Sequence, residues 1–154
     1  VIGSPYAAPN GNNSGTASIV LGPGPPGVVS LAIAAAASLQ GELPEMRAGF
    51  SVSRLGDMTG DGLPDLAIGA KYDSTVGPNA GAVHLVPGPF AGTTDLGLTG
   101  VKLLGEAAGD LAGDVGSVAD LDGDGVPDLI VGARHAAETG TDAGSAYLVF
   151  GAPF

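Results

Sequence analysis

With 28 glycines and 12 prolines among 154 residues, and 44% hydrophobic residues, the chain has the material for one ordinary domain of short strands and turns rather than a disordered tail. Five basic against 16 acidic residues leave a net charge of −11, which argues against nucleic acid or an anionic membrane surface as a partner. Cysteine is absent, which removes disulfide staples and thiolate chemistry but leaves the compartment open.

The chain opens on Val1 rather than Met, which reads as a processed or excised segment. The segment GTASIVLG at 15–22 follows the short opening VIGS at 1–4. The longest apolar run, 28–39, is too short to cross a bilayer, so no membrane insertion is expected. Within it, 31–39 is rich in alanine, a helix former. Its place in the repeat described below is that of an outer strand, so it is read as extended, with a short helix as the alternative. Strands are predicted at 51–55, 66–69, 82–86 and around 101–104, then at 115–118, 129–132 and 145–150. The continuous apolar run Leu129-Ile130-Val131 suits a strand covered on both faces.

The chain also repeats itself. DLAIGA at 65–70 returns 63 positions on as DLIVGA at 128–133, and AGAVHLVPG at 80–88 returns at the same spacing as AGSAYLVFG at 143–151. Upstream, GDMTGDGLPD at 56–65 matches ADLDGDGVPD at 119–128. A third, incomplete copy leads: VIGS lies 66 residues before AIGA, GTASIVLG lies 66 before GAVHLVPG, and LQGE ending at Glu42 resembles LLGE ending at Glu106. Four strands per unit of this length match a propeller blade. The expected organisation is therefore all-β, with a partial blade at 1–48, a complete one at 49–112 and a partial one at 113–154.

Two acidic loops carry the chemistry. In DLDGDGVPD, Asp120, Asp122 and Asp124 alternate, Gly123 and Gly125 permit a tight wrap, and Asp128 closes the loop. Hard divalent cations such as calcium take six to eight oxygens at about 2.3–2.6 Å, and these carboxylates with the Val126 carbonyl could supply them. Without a cation the carboxylates would repel one another and raise their own pKa values. The other loop, DMTGDGLPD, offers Asp57, Thr59, Asp61, the Leu63 carbonyl and Asp65, with neutral Thr59 making it the weaker site. An EF-hand needs a glutamate at its twelfth position, where these loops have Val131 and Ile68. A solvated acidic turn is the alternative for either loop taken alone.

An enzyme is not expected. His84 aligns with Tyr147 and reads as a partly exposed strand residue, and His135 reads as a solvated loop residue. No nucleophile motif or phosphate-cradling loop is present, and alternating carboxylates in a turn fit ligation better than a separated acid–base pair. Lys71 and Arg134 are repeat-related cations that either balance local aspartates at the surface or meet an acidic partner.

The segments GFSVSRLGDMTGDGLPDLAIGA at 49–70 and VADLDGDGVPDLIVGA at 118–133, each followed by an AG-x-x-x-LV-x-G strand, resemble FG-GAP repeats, found in the N-terminal β-propeller of integrin α subunits and in bacterial extracellular proteins. The FGAP of 150–153 keeps the family's signature loosely. The resemblance implies a seven-bladed propeller with calcium in loops on one face, non-catalytic and extracellular or at the cell surface. Carried over by position, the ligands of two calcium ions are Asp57, Thr59, Asp61, Leu63 and Asp65, then Asp120, Asp122, Asp124, Val126 and Asp128. Asp114 and Val115 replace the family's Phe-Gly, and Lys71 and Arg134 stand where proline is common. The length covers about two and a half blades, so the chain reads as a fragment or as a piece completed by partners. The implied function is binding or adhesion to a protein or glycan. Alternatives are a scaffold or filament subunit whose open blade edges are completed by neighbouring chains, and an accessory domain of a secreted hydrolase.

Overall fold

Glycine-rich turns cut the chain into short strands. The computed structural model describes residues 1–22, 27–117, 119–137 and 140–151. Its first sheet runs β1 (Ile2–Ser4), β2 (Thr16–Val20) and β3 (Ala35–Gln40). The second runs β4 (Ser51–Gly56), β5 (Asp65–Ala70), β6 (Ala82–Val86) and, at the outer edge, β8 (Val101–Leu104). The third runs β9 (Ala112–Ser117), β10 (Leu129–Ala133) and β11 (Ser145–Val149). Each follows an antiparallel meander, the build of a propeller blade. The molecule is all-β and made of partial propeller blades.

Strand alternation decides the packing between sheets. Leu66, Ile68 and Ala70 of β5 pack towards the first sheet, against Ala17, Leu39, Met46 and Ala48. Ala67 of the same strand, with Val83 and Leu85, packs the other way against Leu129 and Val131. β5 is therefore buried along its whole length. β10 is not: the apolar run of 129–131 was expected to be covered on both faces, but Ile130 is exposed because a neighbouring sheet covers one side only.

The sheets approach closely through glycine. Gly15 bridges Ala48, and Gly81 bridges Ala112, both in parallel fashion. Both glycines have φ of +85°, and a Cβ on either would press onto the facing alanine carbonyl. Two residues before the corresponding glycine of each repeat, Asn13, Asn79 and Asp142 adopt φ of 50°, 55° and 53°. Asn and Asp tolerate this left-handed region better than other side chains.

Several expectations change. The alanine-rich stretch divides into a one-turn helix, α1 (Leu31–Ala34), whose N-terminus is capped by Ser30, and then strand β3. β9 begins at Ala112, three residues before the expected start, while Val118 lies outside the described residues, as do Ala152 and Pro153 of the FGAP stretch. An unforeseen strand, β7 (Gly92–Asp95), leaves the second blade and pairs with β3 in parallel, so the first sheet is not purely antiparallel. Its GTTD sequence has no apolar alternation to announce a strand. His84 is fully buried rather than half-exposed, because β8 covers it from the outside. Lys71 is likewise buried, pairing with Asp114 of the third blade. Arg134 meets the same carboxylate at 3.0 Å. Burial pushes the Asp114 carboxyl up, but the two cations outweigh it and hold its pKa below the ordinary value. His135 is half-exposed and 3.1 Å from Asp142.

Candidate metal centre

Each acidic loop joins the first and second strands of a blade, β4 to β5 and β9 to β10. Both loops sit at the same end of their sheets. In each, two glycines occupy the left-handed region, Gly60 and Gly62 in one and Gly123 and Gly125 in the other. That conformation turns successive backbone N–H groups inwards, and the leading aspartate gathers them. Asp120 accepts from Gly123 N at 2.6 Å, Asp124 N at 3.1 Å and Gly125 N at 2.8 Å. Asp57 accepts from Asp61 N at 3.0 Å and Gly62 N at 2.8 Å. The middle aspartates repeat one another as well: Asp61 accepts from Leu63 N, and Asp124 from Val126 N, both at 2.8 Å.

The closing aspartates have a job that sequence spacing did not reveal. Asp128 is fully buried; it accepts from Leu121 N at 2.7 Å and Gly151 N at 3.0 Å. Asp65, also buried, accepts from Met58 N at 2.8 Å, Thr59 N at 2.9 Å and Gly88 N at 3.2 Å. Each ties the start of its loop to the chain leaving the third strand, 23 residues downstream. A buried carboxylate needs such donors. The signal was present in the repeat, since Gly88 and Gly151 occupy equivalent positions in the aligned blocks.

The structure gathers oxygens of Asp120, Asp122 and Asp124 within 4.8 Å of one another, all exposed. Two ligands on opposite sides of a calcium ion stand about 4.6–5.2 Å apart, so this spread fits a single ion. Asp128 stands outside that trio. Among the described residues, Asp57, Asp61 and Asp65 do not converge in the same way. In their loop the hydroxyl of Thr59 is buried without a hydrogen-bond partner, an oxygen available to a ligand. Leu63 and Val126 donate their N–H groups to Asp61 and Asp124. All the candidate ligand atoms are hard oxygens, the chemistry that calcium prefers.

Electrostatics separates the members of the trio. The N–H groups of Gly125, then Gly123 and Asp124, hold the Asp120 carboxyl below its ordinary pKa against desolvation. For Asp122, the Asp124 N–H pulls the pKa down, but desolvation and the charges of Asp124, Asp128 and Asp120 push it above the ordinary value. The loop therefore holds one anion firmly and crowds a second beside it, an arrangement that a positive ion relieves.

Residues 48–86 and 112–149, half of the chain, match the FG-GAP repeat family. Over 95 residues the chain is 35% identical to human integrin alpha-7, an alignment covering 58% of this chain and 7% of that protein. The chain thus spans a small part of the length of this relative.

Proposed function

Because the chain belongs to the FG-GAP repeat family, we propose that it is a calcium-binding, non-catalytic part of an extracellular β-propeller whose loops recognise a protein or glycan in adhesion. The observation that carries the cation reading is the convergence of Asp120, Asp122 and Asp124 within 4.8 Å. Asp128 and the Val126 carbonyl complete that site. Asp57, Thr59, Asp61, the Leu63 carbonyl and Asp65 hold a second, weaker ion. A calcium ion supplies positive charge at the loop where Asp122 is crowded, and so locks the turn between two strands. Another feature favours binding over catalysis: His84 is sealed from solvent.

The test is thermal melting in calcium and in excess chelator. Calcium at about 100 times its Kd stabilises the native state by about 2.7 kcal/mol, roughly 5–10 °C at this chain length. In Asp122→Asn, which removes one of the crowded charges, the midpoint in chelator holds or rises while the calcium increment shrinks. A wild-type midpoint indifferent to calcium would sink the cation assignment.

A second reading, self-assembly of copies, is favoured by one face of the third blade. Met58, Ala67 and Leu85 of the second blade are 3%, 0% and 9% exposed, whereas their repeat counterparts Leu121, Ile130 and Leu148 are 59%, 39% and 43% exposed. Within the chain, that face of the second blade is covered by the next blade. A second copy, docking head-to-tail, would cover it on the third.

A further inference from the structure

At the seam between the first and second blades, on the end of the strands away from the acidic loops, Arg47 lies between two tyrosines. Its guanidinium carbon is 4.1 Å from the ring centroid of Tyr72 and 5.2 Å from that of Tyr6. Tyr6 and Tyr72 follow β1 and β5 at equivalent repeat positions, and Arg47 and Phe50 precede β4. Strand direction alone brings them to one end. The Phe50 ring lies 6.1 Å from that of Tyr72, and the Lys71 ammonium sits 4.2 Å from the Phe50 centroid.

Arg47 is unlike the cations that the fold uses up. Lys71 and Arg134 share Asp114, and Lys102 is held by Glu42 and Asp73. Among the described residues, no carboxylate pairs with Arg47. Glu45, the acid of the same loop, commits its oxygens to the side-chain amides of Asn12 at 2.6 Å and Asn13 at 3.0 Å. Among the described residues Arg54 likewise meets no carboxylate and no flanking ring, and it stands exposed on β4. The Arg47 Nε is buried with no hydrogen-bond partner, so contact with the two rings rather than protein acceptors holds the guanidinium. A guanidinium held in place in this way loses little freedom on meeting a planar carboxylate. Tyr6 and Phe50, 64% and 37% exposed, add apolar contact area beside it. On a chain of net charge −11, this end therefore presents a cation that no carboxylate among the described residues contacts directly, with aromatic flanks.

We infer that Tyr6, Arg47, Phe50 and Tyr72 form a docking site for an acidic peptide segment, one carboxylate meeting the Arg47 guanidinium and the neighbouring carbons lying on the exposed rings. The inference rests on the reading of this chain as a binding module and names the class of partner for it. Charge complementarity selects an acidic peptide over a neutral sugar, which could use the rings but not the guanidinium.

The test follows the Arg47 Nε–H cross-peak of the isotope-labelled chain by NMR at fixed free calcium, a readout that needs no variant. The probes are capped tetraglutamate, capped tetraglutamine and maltotriose. Tetraglutamate is expected to shift the Arg47 cross-peak and the ring signals of Tyr6 and Tyr72 saturably, and tetraglutamine is not. Arg47→Gln is expected to weaken tetraglutamate binding about tenfold or more, the loss of a charged hydrogen bond, and Arg47→Lys, which keeps the charge but not the fork, to restore part of it. An Arg47 signal that does not saturate, or that moves equally with tetraglutamine or maltotriose, overturns the proposal. Tetraglutamate binding that shifts only signals elsewhere overturns this docking site while leaving the module reading standing.

Discussion

His84 shows how much one side chain can conceal at the residue scale. Both of its ring nitrogens are buried without a well-formed hydrogen bond, on a strand between Ile68 of β5 and Lys102 of β8. Burial first, then the charge of Lys102, holds the imidazole pKa below its ordinary value, although Glu42, Asp73 and the nearby Leu96 backbone pull the other way. The native state therefore keeps His84 neutral where the unfolded chain takes up a proton, below about pH 6.5. Fewer protons bound in the native state means that stability falls as pH drops through that point. Melting between pH 7.5 and 5.5 is expected to show this fall in the wild type and a flatter profile in His84→Leu; equal slopes would refute the assignment. The paired aspartates Asp73 and Asp114, whose pKa values lie below the ordinary carboxylate value, titrate beneath this window. Repeat alignment with Tyr147 suggested partial exposure for His84. That fails because β11 is an edge strand, while β6 has β8 outside it.

At the level of elements, the acidic loops and the strands they join were legible because spacing and turn chemistry agree there. Aspartates at alternate positions, glycines where φ turns positive and an apolar run behind them all specify the same turn. What connects the blades was less legible. The Gly15–Ala48 and Gly81–Ala112 bridges depend on residues far apart in sequence, and their only local mark is an Asn or Asp two places before each repeat's glycine. Gly81→Ala combines left-handed strain with pressure on the Ala112 carbonyl. The expected cost is about 2 kcal/mol, roughly 5 °C in Tm. The same substitution at Gly123, which has open space around it, carries the strain without the clash and should cost less. Melting of the two variants side by side checks this, and equal losses would show that the blades do not need the close approach.

Across the whole molecule, the 63- and 66-residue offsets predicted stacked blades, and that part of the fold is as read. Periodicity could not show which faces the stack leaves open, since exposure at Leu121, Ile130 and Leu148 depends on what stands beside them and not on their own spacing. If that face receives a second copy, the association is heterologous and can close into rings or extend. Sedimentation velocity at rising concentration is expected to show association in the wild type and its loss in Leu148→Arg, a substitution at an exposed position. A wild type that remains monomeric throughout, or a variant that associates equally, would remove the assembly reading.

The strand β7 leaves one blade to complete another, and it changes how the molecule comes apart. Pulling the first two blades from each other means breaking a run of main-chain pairings from Ala37–Gly92 to Gln40–Asp95. The third blade is joined to the second by apolar packing, the Lys71–Asp114 pair, the Ser51 hydroxyl on Gly113 and Val115, and main-chain bonds from Gly109, Leu111 and Ala112 to Pro78, Asn79 and Ala80. Matching main-chain bonds tie the first blade to the second, and the β3–β7 ladder is an added clasp there that, among the described residues, the seam to the third blade lacks.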